Sequence, residues 1–442
     1  MRIAIIGSGI TGLACAWALK DAHDVVLFEK ETRVGGHSNT ATIDYDGARI
    51  DVDTGFIVYN ALNYPNLIAL FDHLGVATQQ SDMSFSVQDG TPGGTWGSDG
   101  APGFFAYKRN LASADHWRLL FEMLRFNARA SADATTRDLT ALTLGDYVRE
   151  LGLTDSFMNR YLVPMGAAIW STPEAQMFDY PASSFVRFFN NHRLLHVERP
   201  LWRTVTGGSR RYVERFVEIL GRRIRTGTPV LSIARSVRGT RVVTPAGEEW
   251  FDEVVLACHS DEALEILSDA NDDERAILGA IRYGPNTAVL HRDASFMPPR
   301  KAAWASWNVE KHHPDAPVSL TYWMNRLQGI DPTRNVFVTL NPVRDVDPAK
   351  VFGTYHYAHP LFDRAAAAAQ RLMPAIQGAN RAWFAGAWQG YGFHEDGLRA
   401  ALRVALKLGG TVPWTFVDDD IPRTAWAPIG AHQLEGLKAR RA

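Results

Sequence analysis

A mixed chain is predicted, an α/β domain interleaved with a second domain of α+β class, and three features of the sequence predict it. Gly7, Gly9 and Gly12 fall in a GxGxxG spacing between a β-like run, Ile3–Ile6, and a helix-like one, Leu13–Lys20. That order marks a Rossmann-like strand–turn–helix unit for a dinucleotide. The first glycine allows the tight turn, the second lets backbone approach a pyrophosphate, and the third permits close helix–strand packing. A second strand, Val25–Phe28, ends on Glu29, at the ~20-residue offset where a carboxylate meets a ribose diol. Finally, 442 residues exceed one ordinary hydrophobic core, so two domains are expected.

Each element follows in order. Ile3–Leu19 carries no charge, so a secretory signal or a spanning helix must be weighed against the nucleotide reading. Three glycines weaken a spanning helix, and the stretch is shorter than the ~20 apolar residues a bilayer requires. Arg2 with Ala14, Ala16 and Ala18 imitates a signal only superficially. Gly35-Gly36 then mark a turn within Glu29–Thr40, and Thr42–Phe56 alternates as a hairpin returning to a buried strand. Asn63–Gly75 is helical by its apolar spacing at Leu67, Leu70, Phe71 and Leu74, and glycine-rich Gln88–Gly103 reads as loop or hairpin. Phe104–Ala130 has helical periodicity, aromatic weight and a basic character from Lys108, Arg109, Arg118, Arg125 and Arg129. A packing helix and a helix lying on anionic lipid both fit it.

Pro164–Trp202 and Trp304–Trp323 are aromatic-rich. A helix at Arg211–Leu220 precedes β segments, of which Val254–Cys258 is a continuous apolar run typical of a doubly covered sheet. Arg381–Gly410 reads as strand, glycine-rich turn, and a helix starting near Glu395 and Asp396, where acids suit the dipole. The expected domains are discontinuous. Residues 1–60, 205–290 and 375–412 bind the dinucleotide, 61–204 and 291–374 form the substrate domain, and 413–442 are a C-terminal tail.

A formal net charge of −2 gives no pull towards nucleic acid. Two cysteines, Cys15 and Cys258, supply neither a disulfide framework nor a metal site and fit a reducing cytoplasm. Thirteen Trp and 22 Phe fit either core packing or an aromatic-lined pocket.

The stretches GSGITGL, LFEK, RVGGHSNT, IDVDTGF, VVLA and WFAGAWQGYGFHEDGLRAAL together resemble the FAD-dependent amine oxidase and phytoene desaturase superfamily. TGFIVYN, PMGAAIWS, ASWN, YHYAHPLFD and GYGFHEDG are similar to a bacterial group of NAD/FAD-binding oxidoreductases linked with modification of membrane fatty acids. Within that group the nearest role is desaturation of methylated fatty acyl chains in furan fatty acid formation. The resemblance implies an amine oxidase-like fold and non-covalent FAD. It places cofactor contacts at Gly7, Ser8, Gly9, Ile10, Thr11, Gly12, Glu29, Lys30, Gly35, Gly36, His37, Ser38, Gly55, Phe56, Val230, Gly386, Glu395 and Asp396. His37 stands where the superfamily usually has a second arginine, which implies a weaker, pH-sensitive phosphate contact. Ala387 replaces the acid that commonly bonds the ribityl chain, and Tyr283–Asp293 lacks the lysine that amine oxidases commonly place near flavin N5. No second GxGxxG suggests a separate nicotinamide domain.

FAD implies hydride loss from a substrate carbon and a base for the accompanying proton. His394, at a position matching one of the superfamily's flavin-facing aromatic rings, is the candidate base; His291, His192 and Glu174 are weaker ones. Trp170, Trp307 and His192 are expected to line the substrate pocket, and no metal is expected. The expected reaction removes hydrogen from methylated unsaturated fatty acyl chains, free or in phospholipid, giving a methylated diene. Amine or other small-molecule oxidation is the alternative, and a non-catalytic flavoprotein that holds lipid or a partner is the third reading. The electron acceptor is open among oxygen, a quinone and a carrier protein. Peripheral contact with the inner face of the cytoplasmic membrane is expected from Phe104–Ala130 and the substrate class.

Overall fold

A computed structural model describes residues 1–91, 94–170, 173–196, 200–311 and 318–418. Residues 419–442 of the expected tail, the LKARRA terminus included, lie outside these, as do residues 312–317 of the Trp304–Trp323 block.

Five parallel strands form one sheet in the order Ile224–Arg225, Asp24–Phe28, Arg2–Ile6, Glu253–Leu256, Ala382–Phe384. Side chains alternate along each strand, so each strand feeds two cores. Ile3, Ile5, Val25, Leu27 and Val255 pack beneath helices Ile10–Leu19, Arg210–Leu220 and His394–Lys407. Ala4, Ile6, Val26, Phe28, Val254 and Leu256 face the opposite core, with the antiparallel sheet Ser232–Ser236, Gly239–Thr244, Gly247–Phe251. Burial on both faces explains the apolar run ending at Cys258.

The second domain holds a seven-stranded sheet in the order Val351–Leu361, Arg282–His291, Phe337–Leu340, Ser319–Trp323, Trp307–Glu310, Phe85–Gln88, Thr95–Gly97. Arg282–His291 pairs with Val351–Leu361 and Phe337–Leu340. Residues 282–290, grouped by sequence with the dinucleotide-binding segments, therefore build the second sheet. A helical layer that includes Ala114–Thr136, Val163–Trp170 and Ala182–Asn191 shares a core with it.

Local chemistry explains several boundaries. Thr40–Tyr45 and Ala48–Asp53 form the expected hairpin around Asp46-Gly47, both at positive φ, as the tight two-residue turn requires. Buried Asp53 clamps it by accepting from Thr40 Oγ1 at 2.6 Å, Ser209 N at 2.9 Å and Gln328 Nε2 at 3.0 Å. The helix read over Phe104–Ala130 is corrected. A short helix ends at Phe104, a 3₁₀ turn covers Lys108–Ala112, and the long helix runs Ala114–Thr136 because Ser113 Oγ caps His116 N. Residues 413–418 are anchored rather than trailing: Trp414 stacks on Trp17 at 5.6 Å, and Val417 N donates to Asn66 Oδ1. Among the described residues no helix is long and apolar enough to cross a membrane.

Candidate active site

One cavity of about 2210 Å³ runs from the glycine-rich turn to the helical layer. At its dinucleotide end, Gly7 adopts φ +101° while its N–H donates to Phe28 O at 2.8 Å. A Cβ on Gly7 would lie 2.9 Å from Ala257 O, and one on Gly12 would lie 1.8 Å from Gly7 O. A Cβ on Gly9 would meet no protein atom within 4 Å, because Gly9 faces the cavity. The helix Ile10–Leu19 begins there without a side-chain cap. An open glycine ahead of an uncapped helix start is the arrangement a pyrophosphate needs. Buried Glu29 accepts from Ser8 N at 2.9 Å, Ser8 Oγ at 2.6 Å and Glu31 N at 2.9 Å, which fixes its carboxylate on the wall.

Gly7, Ser8, Gly9, Ile10, Thr11, Glu29, Lys30, Gly35, Gly36, His37, Gly55, Phe56, Val230, Gly386 and His394 all lie on the cavity wall, as do Trp170, Trp307 and His192. Four sequence-predicted contacts do not. Gly12 is spent on helix–strand packing, and Ser38 turns toward Tyr212 and His394. Glu395 accepts from Asn66 N and Leu67 N at the start of helix Pro65–Leu74, while Asp396 caps its own helix through Tyr391 N and Phe393 N. Helix starts, one of them its own for Asp396, claim both carboxylates, so neither acid is left to face a cofactor. Lys30 Nζ is taken up by Glu262 at 2.6 Å. Of the three weaker base candidates, His192 stays on the cavity wall and the other two leave it. His291 is buried in the seven-stranded sheet against Thr339 Oγ1 at 2.7 Å, and Glu174 pairs with Lys311 at 3.1 Å.

His37 differs from the charged phosphate contact expected of it. Its ring stacks on Tyr357 at 5.0 Å, with His359 at 5.4 Å and His259 at 6.2 Å. Burial, then the neighbouring His359 and His259, hold its pKa well below the usual histidine value. It is therefore neutral near pH 7 and meets a ligand as a hydrogen-bonding group, its buried Nε2 having no partner among the described residues. Sequence reasoning missed Tyr357 and His359. The alternation Tyr355, Tyr357, His359 along one strand face was the available signal.

His394 stacks on Phe56 with ring centroids 3.6 Å apart. Its Nε2 lies 2.9 Å from Ser38 Oγ and 3.1 Å from Tyr212 OH, and these two hydroxyls also bond to each other. Burial pushes its pKa down to about 3. His192 is stacked on Phe188 at 3.9 Å, its Nδ1 lies 3.0 Å from Phe188 O, and burial lowers it to about 4.

A testable consequence is acid lability. A histidine whose folded pKa lies below ~6.5 contributes stability that is present above that pH and lost as pH falls towards the folded value. His37, His192, His291, His359 and His394 all behave so. Glu395, raised by burial to about 7, and Asp53, raised by burial to about 6, oppose them, since their stabilising protonated forms gain as pH falls. Five groups outweigh two, at more than about 1 kcal/mol per pH unit each. The thermal midpoint should therefore drop by roughly 5 °C or more between pH 7 and pH 5 in scanning calorimetry. A level or rising midpoint would contradict the neutral histidine cluster.

The flavin containing amine oxidoreductase profile matches residues 10–337, more than half of the chain. The chain belongs to that family. FAD is accordingly its cofactor, and oxidation–reduction is the chemistry of the family. The open Gly9, the fixed Glu29 and the unpartnered His37 Nε2 fit such a group. The chain is 27% identical over 269 residues to a putative flavin-containing monoamine oxidase, AofH, of Mycobacterium tuberculosis, covering 58% of this chain and 56% of that protein. It thus spans little more than half the length of that relative. A 4,4'-diapophytoene desaturase of Staphylococcus aureus is 31% identical over 121 residues, 22% of this chain and 24% of its own. Among solved structures, a CLA-producing fatty acid isomerase from P. acnes superposes with a TM-score of 0.65 at 15% identity, covering 92% of this chain and 98% of its own, a likeness of fold alone.

Proposed function

We propose that this family member desaturates methylated, unsaturated fatty acyl chains, free or in phospholipid, to methylated dienes. The observation that carries the reading is the wall of the cavity beyond Phe56 and His394. Met83, Phe85, Trp96, Phe104, Met165, Trp170 and Phe188 form it, and Trp307 and Tyr322 close one side. A facing anion would favour a protonated amine. Asp99, the acid on this part of the wall, is committed to Arg326 at 2.6 Å. A hydrocarbon chain needs only dry, close-packed surface.

When bound, FAD supplies two-electron oxidation by accepting a hydride from carbon. The chain's own residues exclude water, align the acyl chain along the aromatic wall and take the proton. In the tautomer that donates Nε2–H to Ser38 Oγ and Tyr212 OH, the lone pair of His394 sits on Nδ1, which makes no hydrogen bond among the described residues. A ring of such low basicity holds a proton only briefly, and the Ser38–Tyr212 pair offers it the next step.

Anaerobic mixing with a methylated unsaturated fatty acid or its phospholipid should bleach the flavin absorbance stoichiometrically, without any electron acceptor. Amines should leave the spectrum unchanged. Bleaching by amines and not by the lipid would replace this reading with amine oxidation.

A further inference from the structure

We infer that the cavity opens onto a face that docks on an anionic phospholipid bilayer, through the N-terminal half of helix Ala114–Thr136 and the turn before it. Trp117, Phe121 and Leu124 stand at i, i+4 and i+7, on one side of the helix. They are 38, 63 and 55% exposed, and Leu111, just before the helix, is 56% exposed. Large apolar side chains grouped this way mark a contact surface.

The patch is continuous with the cavity. Leu124 belongs to both, Leu120 and Met123 line the cavity from the same helix, and the Phe105 ring on the cavity wall packs 4.9 Å from Trp117. Its surroundings are basic. Lys108, Arg109 and Arg125 are exposed and form no ion pair among the described residues, and Arg118 has only Asp115 at 3.9 Å. An apolar stripe with cations around it outnumbering Asp115 and Glu122 of the same helix suits an interface of negative headgroups over hydrocarbon. The chain as a whole carries a net charge of −2, so the basic surround is local to this face. A bilayer seated here lies directly over the hydrocarbon-lined mouth. The docking deepens the fatty acyl reading and rests on it only for the identity of the cargo.

Flotation of the full chain with vesicles of saturated phosphatidylglycerol tests the docking without any turnover. Phosphatidylglycerol vesicles should capture the protein, and phosphatidylcholine vesicles should capture at least tenfold less. Phe121→Asp with Leu124→Asp, and separately Lys108→Glu with Arg109→Glu, should each lower capture roughly tenfold or more. These side chains are exposed, so the circular dichroism and thermal midpoint should stay at wild-type values; if the aspartate pair unfolds, Phe121→Ser is read instead. Equal capture of wild type and both variants would overturn the proposal, as would no capture at all. So would a dimer in light scattering that Phe121→Asp with Leu124→Asp dissolves, because that would assign the face to a second copy. Saturated vesicles contain no oxidisable substrate of the proposed class, so a failure to dock leaves the reaction untouched, and a failed reaction leaves docking untouched.

Discussion

Gly12→Ala is expected to give protein that is destabilised by roughly 3 kcal/mol or more and purifies without flavin. The added Cβ would sit 1.8 Å from Gly7 O and 3.0 Å from Gly7 C. Neither contact is a flexible side chain that can swing aside. Gly7 is held by its bond to Phe28 O and by the close carbonyl of Ala257, so the turn cannot retreat from the helix. Something in the strand–turn–helix unit must break, and the turn that would cradle the pyrophosphate breaks with it. Gly9→Ala is the matched control. Its Cβ meets no protein atom, so the fold should keep its thermal midpoint, while the methyl group occupies space at the helix start and weakens flavin retention. Thermal midpoint and the absorbance ratio of flavin to protein read the two effects separately. Wild-type stability and full colour in Gly12→Ala would mean that the helix–strand contact is not as drawn.

His394→Ala should slow anaerobic flavin bleaching by about 10²–10³-fold while FAD stays bound, the range typical of losing a positioned proton acceptor. Retained cofactor is expected because the ring contacts Phe56, Ser38 and Tyr212, and the residues that fix Glu29 and the glycine turn lie elsewhere. The pH profile tests whether the buried ring is unprotonated at working pH. Burial holds the imidazole at about 3, so it is unprotonated and competent throughout pH 5–8, and the wild-type bleaching rate should be level there in stopped-flow mixing. A histidine with an ordinary pKa would lose half its competence near pH 6.5. Tyr212→Phe removes one partner of Nε2 and should slow bleaching less than His394→Ala does. Unchanged bleaching in His394→Ala would remove this side chain from the chemistry.

How much was legible beforehand depended on whether the determining interaction was local. The GxGxxG turn, the Asp46-Gly47 hairpin and the helix Pro65–Leu74 were readable because each is fixed by residues a few positions apart. The helix start at Ala114 was misplaced because a periodic apolar pattern runs through Phe104–Ser113, while the Ser113 cap that decides the boundary is a single hydroxyl. Glu395 and Asp396 were placed correctly at a helix start. The Asp396 carboxylate serves Tyr391 and Phe393 within the GYGFHEDG stretch, whereas Glu395 serves Asn66 and Leu67, partners that no spacing within that stretch announces. His37 was visible as a departure from a motif, but its neutral state is set by burial and then by His359 and His259, more than 300 and 200 residues away in the chain.

The sequence by itself determined the dinucleotide-binding unit, since positive φ and a missing Cβ are properties of glycine and its immediate neighbours, and strand alternation fixes which face each side chain takes. Tertiary structure alone decided the electrostatics and shape of the site. The Ser38–Tyr212–His394 contact and the neutral histidine cluster around Tyr357 each join segments far apart in the chain. Desolvation and hydrogen bonding act through space, so their strength is settled only when those segments meet.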